Sequence, residues 1–534
     1  MINLKTSNTF FGFDENNLRL KSVHSAFASE QNFITDDEKL PVFEIGYYDA
    51  KKRLRTLDSF SAKKITVSKI SEGVFEAEFG GFETPGANTM TVSCRVSVSE
   101  SDGFARFGVS IKNRCSMQIF DVRYPFVVCP YKLDGTPQTE AVVLPQGYGS
   151  GRLLKGDLEF GGGNQYNRMR PDSYQAWEFS PYEDMCGHYP GLMFAQFLAY
   201  YNDRAGLYIS CDDTQANVKR FRVLHRKPGM RLGVSHAGDW SAANSRSLEY
   251  ETLITTFTGD WYAAADIYRE WSFKQKWFVP LANRDDIPKW LTDSPAYITV
   301  RSVGQLDMGD TDLIEDFVPY EKCLPLLQNV ADKIDAPLCV VFMGWERAGS
   351  WVYPDCFPPA GGEESFAGAI AEIRNRGWHA GSFCSGTRWC YDQVWSGYDG
   401  RDYLDSIGAE DGYCKTADGQ NWVDNWRNFR MNIAGCLAAK KTRDMSRHIV
   451  DKLVGWGMDA MQFLDQNNGS ATFPCFSEDH GHDGMPGKWM HEAMRSFMLE
   501  LHESAREMGA PGVVHSAESG LNEVCLPFFQ QTEL

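Results

Sequence analysis

The sequence lacks the features that would take the chain into or across a membrane. It contains no run of about 20 apolar residues, the length that a membrane-spanning helix needs. Its first residues do not show the basic segment and apolar segment of a secretory signal peptide. The 14 cysteines have no repeated short spacing, and unpatterned cysteines without a signal peptide are typical of a reducing compartment. We therefore expect a cytoplasmic protein with no membrane partner.

Positive charge is also scarce. The chain has 53 Lys and Arg against 71 Asp and Glu, which gives a formal net charge of −18. This excess argues against nucleic acid as a partner, since its phosphates repel an acidic surface. With 534 residues, 43% hydrophobic and 23% charged, the chain is long enough for at least two globular domains. Its 15 Trp and 22 Tyr suit either stacking on sugar rings or the filling of large cores.

Residues 1–255 have the pattern of an all-β domain. Short segments alternate apolar and polar residues and are separated by clusters of turn-forming residues, as at 64–68, 90–98, 107–112, 120–128 and 206–212. Many short strands without helical periodicity predict a β-sandwich. The segment 147–189, which contains Trp177, is rich in Gly, Tyr, Arg and Pro. We interpret it as a long irregular loop that either reaches toward the second domain or stays at the surface.

The pattern changes near residue 256. Residues 256–294 are predicted to form a helical linker, whose first helix is capped by Asp260 and turns Tyr262, Tyr268 and Trp271 toward the sandwich. From residue 295, short apolar runs alternate with segments of helical periodicity. Strands are predicted at 296–301, 337–343, 378–384, 458–464 and 512–516, and helices at 320–334, 366–376, 438–456 and 489–508. A hairpin turn is predicted at Asp418 and Gly419.

This alternation predicts a parallel sheet, and five consecutive steps favour a (β/α)8 barrel over an open sheet. The expected fold class is multidomain: an all-β supersandwich over 1–255, followed by a TIM-type barrel over 295–534. A complete barrel takes about 250 residues and eight strands. Three of those strands are not apparent in the sequence, so we expect a partial barrel truncated after about five strands.

Two carboxylates, Asp465 and Glu518, follow consecutive predicted strands. Chemistry in parallel sheets collects at the carboxyl ends of the strands, and neighbouring strands lie about 4.8 Å apart. Retaining glycosidases hold two carboxyl groups about 5–5.5 Å apart, so this pair is the predicted catalytic pair. In the alternative interpretation, each carboxylate caps a helix or pairs with a base. Asp459, at the start of the fourth strand, belongs to the opposite rim and is expected to be structural.

The loops after the predicted strands contain further candidates for sugar binding. Trp345 and Trp351 are predicted to form a platform or to cover the barrel mouth, and Glu346 is also a rival catalytic carboxylate. The other predicted substrate contacts are Asp355, Arg388 with Trp389, Gln466, His480, His482 and His515. For Arg388 and Trp389 the alternative is an exposed loop, and for His515 it is a buried, satisfied ring.

The segment after Asp465 raises the question of a metal. His480, His482 and Asp483 are possible ligands, but their pattern is weak because no matching ligands are apparent elsewhere in the sequence. Hydrogen bonding to sugar hydroxyls is the preferred interpretation of this loop, with a merely structural loop as its alternative. The sequence therefore predicts neither a metal nor a cofactor.

Several short motifs support a family resemblance. They lie at 268–271, 287–290, 344–346, 353–355, 457–460, 464–466, Cys475 with 480–482, and 516–518. In these residues the chain resembles an uncharacterised family of glycoside-hydrolase-like barrel proteins, distantly similar to endo-α-N-acetylgalactosaminidases and other α-glycosidase barrels. At 189–190 and 196–200 the N-terminal half resembles the β-supersandwich, of galactose-mutarotase type, that precedes such barrels.

The resemblance implies an activity. In related barrels the nucleophile is an Asp that ends strand four. The acid/base follows on a later strand end, in several groups as a Glu on strand five, and this corresponds to Asp465 and Glu518. The implied protein is a retaining glycoside hydrolase that takes an α-linked oligosaccharide or glycoside as its substrate. The alternative is a non-catalytic carbohydrate-binding or scaffold protein that keeps the barrel shape.

Overall fold

The computed structural model describes most of the chain in two compact units. The described residues are 1–36, 39–115, 117–133, 139–146, 151–155, 184–191, 193–225, 227–238, 240, 246–304, 312–347, 354–384, 386–390, 399–426, 430–464, 472–518 and 521–533. The first unit consists of Met1–Pro171, Gln175–Lys276 and Asp483–Lys488, and the second of Asp172–Tyr174, Trp277–His482 and Trp489–Leu534. Trp177 and most of the predicted loop 147–189 lie outside the described residues.

The first unit is built from antiparallel β-strands. In chain order they are β1 (Ile2–Lys5), β2 (Thr9–Phe13), β3 (Leu20–Ser25), β4 (Glu44–Tyr48), β5 (Leu54–Asp58), β6 (Ala62–Ser71), β7 (Val74–Phe82), β8 (Thr91–Val98), β9 (Ala105–Lys112), β10 (Gln118–Cys129), β11 (Ala141–Leu144), β12 (Arg152–Lys155), β13 (Asp184–Tyr189), β14 (Phe197–Tyr201), β15 (Gly206–Cys211), β16 (Lys219–His225), β17 (Met230–Ala237), β18 (Arg246–Ser247) and β19 (Thr252–Phe257). All five strands that the sequence predicts in this half are found.

These strands form three sheets. One has the order β1-β2-β3, the second β13-β16-β17-β10-β4-β5, and the third β12-β11-β14-β15-β19-β9-β8-β7-β6, with β18 paired to β9. Strand β8 alternates buried and more exposed residues, whereas β14 and β15 are buried throughout. Because both faces of β14 and β15 are covered, this large sheet supplies much of the core of the unit.

Helix α1 (Trp261–Ser272) packs on the same unit. It begins where the Asp260 carboxylate accepts a hydrogen bond from the backbone N–H of Tyr262, at 2.9 Å. Tyr268 is buried, with its ring centroid 5.3 Å from that of Phe197, and Trp271 packs on Tyr268. The prediction for Tyr262 is wrong, since its side chain is 64% exposed.

Two buried histidines make this unit sensitive to acid. Burial lowers the pKa of His188 and of His236 to about 3, while an unfolded histidine titrates near about 6.5. Below that pH the unfolded chain binds protons that the folded unit does not bind, so stability falls as the pH falls. We expect each histidine to remove about 2 kcal/mol of unfolding free energy between pH 7 and pH 5.

Urea unfolding of the first unit at pH 7, 6 and 5 measures this loss. In His236→Gln only one of the two buried histidines remains, so the loss of unfolding free energy between pH 7 and pH 5 should be about half as large as in the wild type. His24→Gln is the matched control, because solvent reaches that half-buried ring in the folded state. An unfolding free energy that stays constant from pH 7 to pH 5 would contradict the prediction.

The second unit contains a parallel sheet and helices. Its strands are β20 (Ala296–Arg301), β21 (Leu338–Met343), β22 (His379–Phe383), β23 (Arg388–Cys390), β24 (Val423–Trp426), β25 (Arg430–Ala434), β26 (Ala460–Leu464), β27 (Val514–Glu518) and β28 (Gln531–Glu533). Its helices are α2 (Lys289–Thr292), α3 (Cys323–Ile334), α4 (Glu363–Asn375), α5 (Gly400–Ser406), α6 (Lys440–Gly455) and α7 (Trp489–Glu507). Among the described helices, none has the length and apolarity needed to cross a membrane.

Six strands of this unit form one sheet in the order β20-β21-β22-β26-β27-β28, and every pair in it is parallel. Between β22 and β26 the chain forms a small antiparallel sheet, β23-β25-β24. The predicted turn at Asp418 and Gly419 is present, closed by the N–H of Thr416, which donates to the carbonyl of Gln420 at 2.8 Å.

The parallel sheet has six strands rather than the expected five, because β28 is added to it. Strand β28 pairs with β27, and Gln531 on it accepts a hydrogen bond from the Tyr297 hydroxyl, at 2.8 Å. Tyr297 belongs to β20, the first strand, so side chains of the first and last strands meet. The sequence does not predict β28, since its three residues are polar.

The amino ends of the strands are a structural rim. Trp290 stacks on His379 with ring centroids 4.2 Å apart and packs on the buried cluster that includes Val341 and Ala460. Asp459 pairs with Arg374 at 2.5 Å and lies 3.3 Å from the ring of His379. This carboxylate therefore ties helix α4 to the strand ends, which confirms its structural assignment.

Candidate active site

Strands β26 and β27, which lead to the two predicted catalytic carboxylates, are neighbours in the sheet. Leu464 pairs with Ala517, and the register shifts between Met461 and Leu464. Such bulges are over-represented next to active sites. Asp465 and Gln466, which follow β26, lie outside the described residues, and Glu518 is described only as the last residue of β27.

Polar side chains are concentrated and buried in or shortly after the strands of this unit. Those at most 4% exposed include Ser302, Glu346, Ser382, Thr387, Arg388, Asn432, Gln462, His515, Ser516 and Asn522. A buried polar group needs a hydrogen-bond partner, so polar side chains are less common in a core than apolar ones. Several of them, Ser382, Gln462, His515 and Ser516, belong to three neighbouring strands of the parallel sheet.

Trp345 does not form a sugar platform. Its side chain is completely buried, and its ring stacks on Phe366 with centroids 5.5 Å apart and planes 8° apart. The indole N–H donates to the carbonyl of Phe383 at 2.9 Å. Because no ring face is open to a ligand, the platform prediction is corrected for Trp345, which packs beneath the strand ends. Trp351 lies outside the described residues.

Two carboxylates follow β21 in different environments. Glu346 is completely buried. Burial raises the pKa of Tyr320, and the charge of the neighbouring Glu346 carboxylate acts in the same direction. Asp355 is 8% exposed and pairs with Arg347 at 3.0 Å. Burial raises the pKa of Asp355, and Arg347 only partly offsets it. The roles predicted for Glu346 and Asp355 stay predictions.

Arg388 and Trp389 are buried rather than exposed. The Arg388 guanidinium lies 5.5 Å from the ring centroid of Phe473 and is 2% exposed. Trp389 packs on Tyr413, and a Cβ atom at Gly435 would lie 3.0 Å from its ring. The exposed-loop alternative is therefore wrong for both residues.

His515 lies on β27, three residues before Glu518. Its ring is fully buried and meets the ring of His502 edge to face, with centroids 4.7 Å apart. Burial lowers the pKa of His515 well below its ordinary value, so the ring is neutral. Its ring nitrogens have no hydrogen-bond partner among the residues that the structure describes. The predicted role, orienting Glu518 or a sugar hydroxyl, stays a prediction.

His480 and His482 are directed at cysteines. His480 Nδ1 lies 3.5 Å from Cys475 Sγ, and His482 Nε2 lies 3.5 Å from Cys436 Sγ. We call these four residues the sulfur–imidazole cluster, and their ligand-type atoms all lie within 4.8 Å of one another. The statement that the two histidines lack matching ligands is wrong, and these nitrogens face sulfur rather than a sugar. Asp483 is not part of the cluster.

Comparisons with known proteins agree with this architecture. The family model "Domain of unknown function (DUF6259)" matches residues 246–531. A protein of Bacteroides thetaiotaomicron described as "Putative glycoside hydrolase" is 20% identical over 366 residues, 68% of this chain and 48% of that protein. The chain thus spans about half the length of the curated relative that it matches.

Solved structures give the same result for the fold. The α-N-acetylgalactosaminidase NagBb from Bifidobacterium bifidum, in complex with GalNAc, has a TM-score of 0.69 at 13% identity, over 99% of this chain and 78% of that chain. The ligand-free form has a TM-score of 0.67 at 14% identity, over 99% and 79%. The predicted distant similarity to α-glycosidase barrels is confirmed.

Proposed function

We propose that this chain, which belongs to the DUF6259 family, is a retaining glycoside hydrolase that acts on an α-linked glycan. Asp465 is the proposed nucleophile and Glu518 the proposed acid/base. The observation that carries the proposal is the pairing of Leu464 with Ala517 on parallel strands. Each proposed carboxylate is the next residue after one of these partners, and neighbouring parallel strands run about 4.8 Å apart.

This spacing favours retention over inversion. Retaining enzymes hold their carboxyl groups about 5–5.5 Å apart, whereas inverting enzymes need about 6.5–9.5 Å to admit a water between sugar and base. In the first step a carboxylate oxygen of Asp465 forms a bond to the anomeric carbon. The bond to the leaving oxygen breaks, and Glu518 gives that oxygen its proton.

The second step releases the sugar. Glu518, now ionised, takes a proton from water, and the hydroxide oxygen attacks the anomeric carbon. The bond to Asp465 breaks, and both carboxyl groups return to their starting states. Buried polar groups of the same unit, among them Arg388 and the neutral His515, are the proposed donors and acceptors for sugar hydroxyl groups. Fold likeness to an α-N-acetylgalactosaminidase supports the α linkage.

A panel of aryl glycosides tests the proposal. We expect the purified chain to release nitrophenol from α-glycosides, with the α-N-acetylgalactosaminide and the α-galactoside tried first, and to leave the matched β-glycosides intact. Proton NMR of the first product should show the α anomer, because two displacements at the anomeric carbon restore its configuration. A β product would contradict retention, and oligosaccharide binding without hydrolysis would contradict the enzyme.

A further inference from the structure

The sulfur–imidazole cluster has the geometry of a metal site. A tetrahedral zinc ion, with Zn–S near 2.3 Å and Zn–N near 2.0–2.1 Å, places a sulfur and a nitrogen ligand about 3.6 Å apart. Two sulfur–nitrogen pairs, Cys475 with His480 and Cys436 with His482, are each 3.5 Å apart. All four ligand-type atoms lie within 4.8 Å of one another, so small side-chain shifts bring all four to bonding distance of one ion.

A second observation concerns the sulfur of Cys475. The backbone N–H groups of Lys415 and Ser477 both point to it, at 3.4 Å and 3.5 Å. Cys414 belongs to the same buried cluster as Cys436 and Cys475. Donors converging on one sulfur stabilise a thiolate, which is the form that binds a metal. Such outer contacts orient metal ligands in known sites.

The imidazole rings are also held in place. His482 stacks on Trp489 with ring centroids 3.6 Å apart and planes 4° apart, and His480 is 9% exposed. The three cysteines belong to one buried cluster with Ala434 and Phe473, among others. A rigid and largely water-free setting of this kind favours a bound ion over solvated side chains.

We propose that Cys436, Cys475, His480 and His482 bind one structural zinc ion. Two cysteines and two histidines are a ligand set that zinc prefers, whereas calcium and magnesium take oxygen ligands. Four protein ligands complete a tetrahedron and leave no position for water, which separates a structural from a catalytic site. Two thiolates also balance the charge of Zn²⁺, so burial of the site adds no net charge.

The ion links segments that are distant in sequence. Cys436 lies two residues after β25, a strand of the small antiparallel sheet, and the other three ligands lie between β26 and α7. Zinc therefore ties the insertion after β22 to the chain that follows β26, close in sequence to residue 465. The site is independent of the proposed hydrolysis, since its ligands have no part in either chemical step.

Metal analysis of the full chain, purified under reducing conditions without added metal, tests the site. We expect about one zinc per chain. After removal of the metal by a chelator, titration with Co²⁺ alone should give the intense visible bands of tetrahedral cobalt and a thiolate-to-cobalt charge-transfer band in the ultraviolet. Cys436→Ser and His482→Gln should each weaken metal affinity more than about 100-fold, since loss of outer contacts alone costs 10–100-fold.

Cys115→Ser is the matched control, because this half-buried cysteine belongs to the first unit and is not a member of the cluster. It should retain the full metal content and cobalt spectrum. The wild-type cobalt titration decides the question even if a ligand variant fails to fold. Three results would overturn the proposal: wild type without a tetrahedral thiolate spectrum, unchanged metal affinity in both ligand variants, or a Cys436–Cys475 disulfide in the reduced preparation.

Discussion

Asp465→Asn is expected to reduce kcat for an activated aryl α-glycoside by at least about 1000-fold, which corresponds to about 4 kcal/mol of lost transition-state stabilisation. The neutral amide is a poor nucleophile and does not offset the positive charge that develops on the sugar ring. Since binding contacts elsewhere remain, KM should change much less than kcat. Steady-state kinetics with a nitrophenyl substrate measure both constants.

Glu518→Gln should behave differently with different leaving groups. An acid/base residue contributes about 100- to 10,000-fold, but nitrophenolate leaves without a proton, so its release should suffer least. A substrate with an alkyl leaving group should lose most of its rate. Added azide should restore turnover by attacking the glycosyl enzyme, with an α-glycosyl azide as the product. This pattern separates an acid/base from a group that only positions the sugar.

Two control variants show whether these effects belong to the proposed pair. Asp459→Asn changes a carboxylate at the other end of β26, where it holds Arg374 and His379; it should lower stability while kcat stays near the wild-type value. Glu346→Gln tests the rival carboxylate. Full activity in Asp465→Asn together with loss in Glu346→Gln would show that the nucleophile has been assigned to the wrong residue.

Lys219→Met is expected to destabilise the first unit by about 3–5 kcal/mol, the usual effect of removing one partner of a buried ion pair. Lys219 and Asp213 are 0% and 1% exposed, with 2.6 Å between ammonium and carboxylate. The ammonium also donates to Gln196 and lies over the rings of Tyr189 and Tyr250. Methionine fills a similar volume but leaves a buried carboxylate without its counter-charge.

The pKa of Asp213 explains the size of this effect. Burial alone raises it, but the Lys219 charge and hydrogen bonds hold it below its ordinary value. Without Lys219, the carboxyl keeps, among the described residues, only neutral hydrogen-bond donors, from Gln215 and Asn217, so it must either stay charged without a counter-ion or take up a proton. Urea unfolding measures the loss, and Lys289→Met is the control, because Lys289 is 83% exposed in its pair with Asp293. Equal stability of the two variants would contradict the prediction.

The sequence predicts most of the parallel sheet because its strands are short, apolar and separated by periodic helices. Strands β20, β21, β22, β26 and β27 differ from their predicted bounds by at most two residues. Strand β28 is not predicted in this way, because its residues are polar and it is recognised as a strand only by its pairing with β27. Its existence depends on tertiary structure, which local pattern does not encode.

The candidate site is harder to predict because aromatic and imidazole side chains suit several environments. Trp345 is an aromatic residue just after a strand, as a sugar platform would be. In the structure its ring stacks on Phe366 and its indole N–H donates to the carbonyl of Phe383. His480 and His482 form a weak pattern by themselves. Their partner Cys436 lies some forty residues earlier, beyond the spacing of short metal motifs, so only the fold brings the cluster together.

The placement of the insertion has a consequence for how the chain folds. Strand β22 pairs with β26, and Gly381 lies opposite Ala460. These two residues are roughly 80 positions apart in sequence, and closing so long a loop slows folding. At a synthesis rate of about 5–20 residues per second, β26 is synthesised about 4–16 s after β22. The sheet β23-β25-β24 forms from nearer segments and is complete first. During that interval one edge of β22 is open, so chaperones and low temperature should raise the yield of folded protein.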